Sequence, residues 1–434
     1  MSTESSRELT DGWKLRFFSI WIAQAGSMAG SRLAQFALVW WLTEQTRSAT
    51  VLALATLAAI LPGVLIGPFA GVLVDRWDRR KVMIAADAFV ALVALWVAIL
   101  FWRGSATVWH VYGAMLARSL GEAFHWPSMY SSTSLMVPEK QLSRIAGLNQ
   151  TAQGVLGVGA PPLAALLLAF LPMHQIMVVD MVTAAIAIGP LLVFAIPRPA
   201  RNVQSNQDRK SMSGMRAGLR YLWSWPGLMA VIGMAMVINF VINPAFSLMP
   251  LLVTDHFGGG PLELGWLESA WGVGMVAGGL LLSVWGGFQS RILTALSALT
   301  LEGLAVAGVG LAPQGSLWLA LAVLFAAGIM NPLVNGPFFA LLQSAVAPEL
   351  QGRVFSLVGS LTSAMMPLSL VMAGPLADRI GIRSWYTGGG LFITVLALGC
   401  FLVPSIMNLE QNHQSAAGSG KPTVSTAMLG RALD

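Results

Sequence analysis

Charge is what this chain has least of. Asp, Glu, Lys and Arg make up 10% of its 434 residues, against 56% hydrophobic residues. Soluble domains carry roughly 25% charged residues. A water-soluble globule is therefore excluded, because so little polar surface could not cover the apolar content. The single Cys400 excludes a disulfide framework and any cysteine-based metal cluster. The five histidines are scattered, with no H-E-x-x-H spacing. There is no G-x-x-x-x-G-K-S/T nucleotide loop and no triad of nucleophile, base and orienting acid. These absences argue against an enzyme and against any cofactor, and leave an ion gradient as the expected energy source. The net charge of +6 does not point to nucleic acid, since the basic residues sit in short loops. Met1–Gly12 is polar and acidic and lacks a signal-peptide core, so the first helix is expected to double as the insertion signal.

What the chain does have is long apolar runs. A bilayer-spanning helix needs about 20 mostly apolar residues. Such segments fall at 15–43, 49–74, 82–102, 107–136, 146–171, 174–196, 226–253, 264–287, 292–312, 316–346, 354–376 and 385–404. The expected fold is an all-α polytopic membrane protein, with twelve transmembrane helices in two pseudo-symmetric six-helix bundles. The expected layout is a cytoplasmic N-terminus at 1–14, bundles at 15–196 and 226–404, a basic linker at 197–225 and a disordered tail at 405–434. With both termini placed in the cytoplasm, 19 of the 25 Lys and Arg residues fall on the cytoplasmic side and four on the other. That is the orientation the positive-inside rule selects.

The halves repeat. A shift of 210 residues lays Pro127 on Pro337, Ser134 on Ser344, Pro138 on Pro348, Glu139 on Glu349 and Gln141 on Gln351. Six helices per half is how many transporters are built.

Two stretches concentrate chemistry. The first is Gly71–Lys81, GVLVDRWDRRK, where six of the last seven residues are charged. Gly71, Asp75, Arg76, Arg79 and Arg80, with Arg144, are expected to form a clasp between the halves. Asp75 would be held by free backbone N–H groups at the start of the eleventh segment. The second is ARSLGEAFHWP, in which Arg118 and Glu122 are four apart and so share a helix face. A charge at the membrane centre costs at least ~2.5–3.5 kcal/mol and needs a reason. Glu122, with Arg118 beside it, is expected to carry a proton in a central cavity. A permanent structural ion pair is the plainer reading. Arg32, mid-way along the first segment, is expected to contact substrate or counter-ion.

Asp180 and Glu302 lie on segments expected to be outer scaffold, and either could carry a proton. Asp87 is expected to pair with the basic loop or Arg144, and Glu268 to sit at a helix end against the dipole. Phe36, Phe124, Trp126, Met129, Tyr130, Phe240, Met330 and Phe338 are expected to form an adaptable apolar pocket with Arg32.

The charged loop resembles the signature between helices two and three of the major facilitator superfamily, with Asp78 where a glycine is usual. R-x-x-G at Arg118–Gly121 resembles that superfamily's helix-four motif, and GVLGVGAPPLAA its antiporter motif. WKLRFFSIWIAQAGS, VPEKQLSRIAG, GRVFSLVGS and LADRIG make the chain similar to drug:proton antiporters of the macrolide-efflux type. The resemblance implies proton-driven export by alternating access across a bacterial inner membrane. The partners it implies are a small drug-like molecule, protons and the lipid bilayer, for a monomer. An exporter or flippase of an endogenous siderophore or lysophospholipid is an alternative. A non-transporting scaffold or receptor is another, but it explains neither the buried charge nor the repeat.

If Asp75 is the clasp, Asp75→Asn raises labelling of the cavity by thiol probes from the cytoplasmic side. An unchanged labelling rate would reduce the loop to a topology signal.

Overall fold

The computed structural model describes residues 4–196, 226–346 and 348–407. The expected linker at 197–225 and the tail beyond Met407 lie outside the described residues. So do the side chains of Asp75, Arg76 and Arg353.

Among the described residues the chain is helical, with no strand. Its long helices are α1 (Glu4–Thr46), α2 (Ala49–Arg76), α3 (Arg79–Trp102), α4 (Val108–Met136), α5 (Leu142–Phe170) and α6 (Met173–Val193). They continue with α7 (Pro226–Ser247), α8 (Pro261–Trp285), α9 (Arg291–Leu311), α10 (Leu317–Ala345), α11 (Pro348–Ile380) and α12 (Ile382–Phe401). Ten of them are long and apolar enough to cross a membrane on length and composition. The two that do not meet that measure, α1 and α4, are diluted by the polar residues described below. Helix α1 starts at Glu4, well before the expected 15, and Pro404–Met407 adds a helical turn at the place expected to begin a disordered tail.

Local chemistry sets several boundaries. Ser48 caps α2 by accepting from the Val51 N–H at 3.4 Å, and Ser290 caps α9 by accepting from Leu293 N–H at 3.3 Å. At α4 the Thr107 N–H donates to His110 Nδ1 at 3.2 Å, so a histidine fills the place a glutamate takes in a capping box. Gly381, at φ +82°, supplies the left-handed residue between α11 and α12.

The chain forms two units. One comprises residues 1–201 with 247–269 and 373–375. The other comprises 202–246, 270–372 and 376–434. Inside each, helices meet through small residues. In the first, a Cβ on Gly30 of α1 would collide with Thr183 Oγ1 of α6. In the second, a Cβ on Gly278 of α8 would collide with the Ile329 carbonyl oxygen of α10. Large apolar side chains face outward instead: Val284 is 89% exposed and Trp109 78%. That inversion of a soluble core suits a lipid solvent, where close backbone approach rather than hydrophobic burial holds helices together.

Gly278→Ala forces backbone apart and is expected to cost about 1–3 kcal/mol of stability. Its neighbour Gly279 has nothing within 4 Å of the position a Cβ would take, so Gly279→Ala is the control. Thermal unfolding in detergent checks the pair, with a lowered midpoint expected for Gly278→Ala alone.

Candidate functional site

The first unit encloses a cavity of about 350 Å³ between α1, α2, α3, α4 and α5. Its polar wall is built from two adjoining clusters.

The first cluster is centred on Arg118 of α4, which is 4% exposed. Its Nη1 pairs with Oδ2 of Asp180 on α6, a residue with no exposed surface. Ser31 Oγ of α1 donates to Asp180 Oδ1 at 3.1 Å, and Arg118 Nη2 donates to the Ser31 carbonyl at 3.3 Å. Three helices are thereby joined around one cancelled charge pair. Asp180 does not line the cavity itself; it stands behind the wall on α6 and anchors Arg118, which does line it. Arg118 and Glu122 do share a face, but the guanidinium is committed to Asp180 across helices. The carboxylate paired with Arg118 is therefore Asp180 and not its i,i+4 neighbour Glu122. Glu122 lines the cavity one turn along, with its side chain accessible.

The second cluster joins α1, α3 and α4. Gln24 Nε2 donates to Asp87 Oδ2 at 2.8 Å. His125 Nε2 lies 2.8 Å from Gln24 Oε1 and 3.4 Å from Asp87 Oδ1. An amide oxygen can only accept, so Nε2 carries the proton in this arrangement. Asp87 therefore has neither partner expected for it. The basic side chains go elsewhere: Arg79 Nη1 donates to Ser131 O at 3.1 Å. Arg80 donates to the carbonyls of Leu191 and Leu192, and Arg144 reaches Gln141 Oε1 at 3.5 Å. Arg79 and Arg80 thus tie the start of α3 to α4 and to the end of α6. Gly71 is half-buried, and a Cβ there would meet nothing within 4 Å.

Arg32 also lines the cavity, where its Nη2 donates to Gln153 Oε1 of α5 at 3.0 Å. Trp126, Met129 and Tyr130 line it too, and the Trp126 and Tyr130 rings stack at 5.5 Å. Phe36 and Phe124 do not. Phe36 is buried in helix packing, and Phe124 stacks on Trp77 at 6.2 Å. Phe338 lines a separate cavity in the second unit; Phe240 and Met330 line neither. Glu268 is two turns inside α8, and the acid that serves the helix start is Glu263, whose Oε2 accepts from Gly260 N–H at 2.7 Å.

Sequence reasoning missed Gln24, His125 and Gln153, and also Asn149, which lines the cavity and accepts from Trp21 Nε1–H at 2.6 Å. His125 was findable, since it follows Glu122 by three and falls on the same face. The amides carry no charge and give no such signal. Asp87 is buried, and Asp87→Ala leaves the Gln24 amide N–H without its acceptor and is expected to cost ~1–3 kcal/mol. Asp87→Asn keeps one hydrogen bond and should cost less. Thermal unfolding of the purified protein checks the order.

Residues 20–369 match the family model of the Major Facilitator Superfamily. The chain is 36% identical to Macrolide efflux protein A of Streptococcus pyogenes over 93% of its own length and 99% of that protein. It is 27% identical to the Multidrug efflux pump Tap of Mycolicibacterium fortuitum, covering 88% of this chain and 94% of that one. Among solved structures it shares the fold of a bacterial homologue of the human lysosomal transporter Spinster. That match has a TM-score of 0.68 at 14% identity and covers 92% of this chain and 98% of that one. With ten helices long and apolar enough to cross a membrane, these likenesses make the chain a multi-pass membrane transporter that belongs to the major facilitator superfamily.

Proposed function

We propose that this transporter is a proton-coupled antiporter that exports a bulky amphipathic or hydrophobic compound, such as a macrolide, by alternating access. The observation that carries the reading is the first-unit cavity: its volume falls in the ~300–1,000 Å³ range of small-molecule sites. It combines an aromatic and methionine wall with ionisable groups. The 36% identity to Macrolide efflux protein A, over nearly the whole of both chains, supports export and the substrate class.

The arrangement of the charges supports proton coupling. Arg118 and Asp180 cancel one another and are buried by helix packing. Glu122 lies beside them and is accessible, so it can gain or lose a proton without breaking that pair. Its protonation changes the cavity's net charge by one unit, and the charge selects which ligand is held. Arg32 lies on the same wall and would contact an acceptor on the ligand. The energy source is then the proton gradient across a bacterial inner membrane, with both termini in the cytoplasm.

In a pump-deficient bacterium, expression should raise the inhibitory concentration of a macrolide several-fold, and a protonophore should abolish the protection. In proteoliposomes, Glu122→Gln should lose drug-induced proton release while keeping drug binding. Protection that survives the protonophore would overturn proton coupling. Unchanged proton release in the variant would remove Glu122 from the role.

A further inference from the structure

The first-unit cavity is small for a bulky compound. At about 350 Å³ it stands near the lower end of small-molecule sites, which run ~300–1,000 Å³. It holds one ring-sized part of such a compound, and the chemistry of its wall decides which part. The inference rests on the reading of this cavity as the exported compound's site.

Three helices each set a pair of side chains into the wall. On α5, Asn149 and Gln153 are four apart and share a face. Each commits its amide oxygen to a protein partner. Asn149 Oδ1 accepts from Trp21 Nε1–H at 2.6 Å, and Gln153 Oε1 accepts from Arg32 Nη2 at 3.0 Å. Among the described residues neither NH₂ group donates to protein, so both remain as donors. On α1, Arg32 is followed three residues later by Gln35, whose amide makes no hydrogen bond among the described residues. It adds an acceptor as well as donors. On α4, the Trp126 and Tyr130 rings stack at 5.5 Å and 25°. Each ring covers one face of the other, which leaves no slot for a flat ring between them.

No single sign of charge rules this wall. Arg32 and Glu122 bring opposite signs, Arg118 is cancelled by Asp180, and Asp87 turns to Gln24 and His125. A group that fits needs no charge of its own. It must donate and accept at several close points and lay C–H bonds on an indole. A hydroxylated saturated ring does all of this. Each hydroxyl donates once and accepts twice, and the ring's C–H face meets the electron-rich face of Trp126. We infer that the first-unit cavity is a subsite for the glycosyl group of a glycosylated compound. Asn149, Gln153 and Gln35 hydrogen-bond its hydroxyls, and Trp126 packs on its ring. The apolar body of the compound lies outside this subsite.

The test is calorimetric titration of the full-length protein in lipid nanodiscs, because maltoside detergents themselves carry a sugar. The probes are phenyl β-D-glucopyranoside and its tetra-O-methyl ether. Both are uncharged and share ring and aglycone, but the ether has no hydroxyl proton to give. Wild type should bind the glucoside about tenfold or more tightly than the ether, a difference of ~1.4 kcal/mol. Gln153→Leu should narrow that ratio several-fold, and Trp126→Leu should weaken the glucoside itself several-fold. Should Gln153→Leu fail to fold, Gln35→Leu removes an amide that holds no hydrogen bond among the described residues, and should narrow the ratio likewise. The proposal is overturned if wild type binds neither probe or both alike, or if the leucine variants behave as wild type. Protonophore-sensitive protection against a macrolide is read separately. It survives if only the subsite is wrong, and its loss with the glucoside preference intact removes export and leaves the subsite.

Discussion

The cancelled charge of Arg118 and Asp180 is the constraint on which the first unit depends. Either charge alone at membrane depth would cost several kcal/mol. Together, with Ser31 completing the coordination from α1, they become a neutral polar knot that fastens α4 to α6 and α1. Because the knot is internally satisfied, the rest of the cavity wall can stay polar and available. Glu122, Arg32 and the Gln24–Asp87–His125 cluster face the same cavity. This is also why α1 and α4 fall short of the apolar content of a lipid-clad helix. Their polar side chains face a cavity and one another.

The same solvent logic shapes the packing. In lipid, outward leucines, valines and tryptophans cost nothing, and helices adhere where small residues let backbones close up. The Gly30, Gly278 and Gly328 contacts are of this kind, the last set so close to the Trp271 carbonyl that no Cβ would fit. The two units solve the buried-carboxylate problem differently. Asp180 is neutralised by an arginine on a neighbouring helix, whereas Glu302 is met only by an amide among the described residues.

Much of the fold is legible in the sequence because hydropathy is a one-dimensional signal. The apolar segments fall within the observed helices to within a turn or so at most ends. Rare charges in apolar runs likewise stand out, and Arg32, Arg118 and Glu122 do line one cavity. Partnership is not legible. Helical spacing matches Arg118 to Glu122, but the true partner is 62 residues away on another helix. The sign of Asp87 points to the basic loop, whereas the carboxylate is satisfied by an amide and an imidazole. Phe36 and Phe124 are aromatic residues on cavity-forming helices, but residue type does not give the direction a ring faces. Gln24 and Gln153 give no signal at all, because an uncharged amide in an apolar run looks like any tolerated polar residue.

The central claim is that Arg118 and Asp180 stabilise the first unit only as a pair. A double-mutant cycle on Arg118→Met and Asp180→Asn, read by thermal unfolding of the purified protein, tests it directly. Breaking a buried pair from one side typically costs ~3–5 kcal/mol. Each single variant is therefore expected to be strongly destabilised and the double variant to regain most of the loss. Additive losses, with the double variant the least stable of the four, would contradict it.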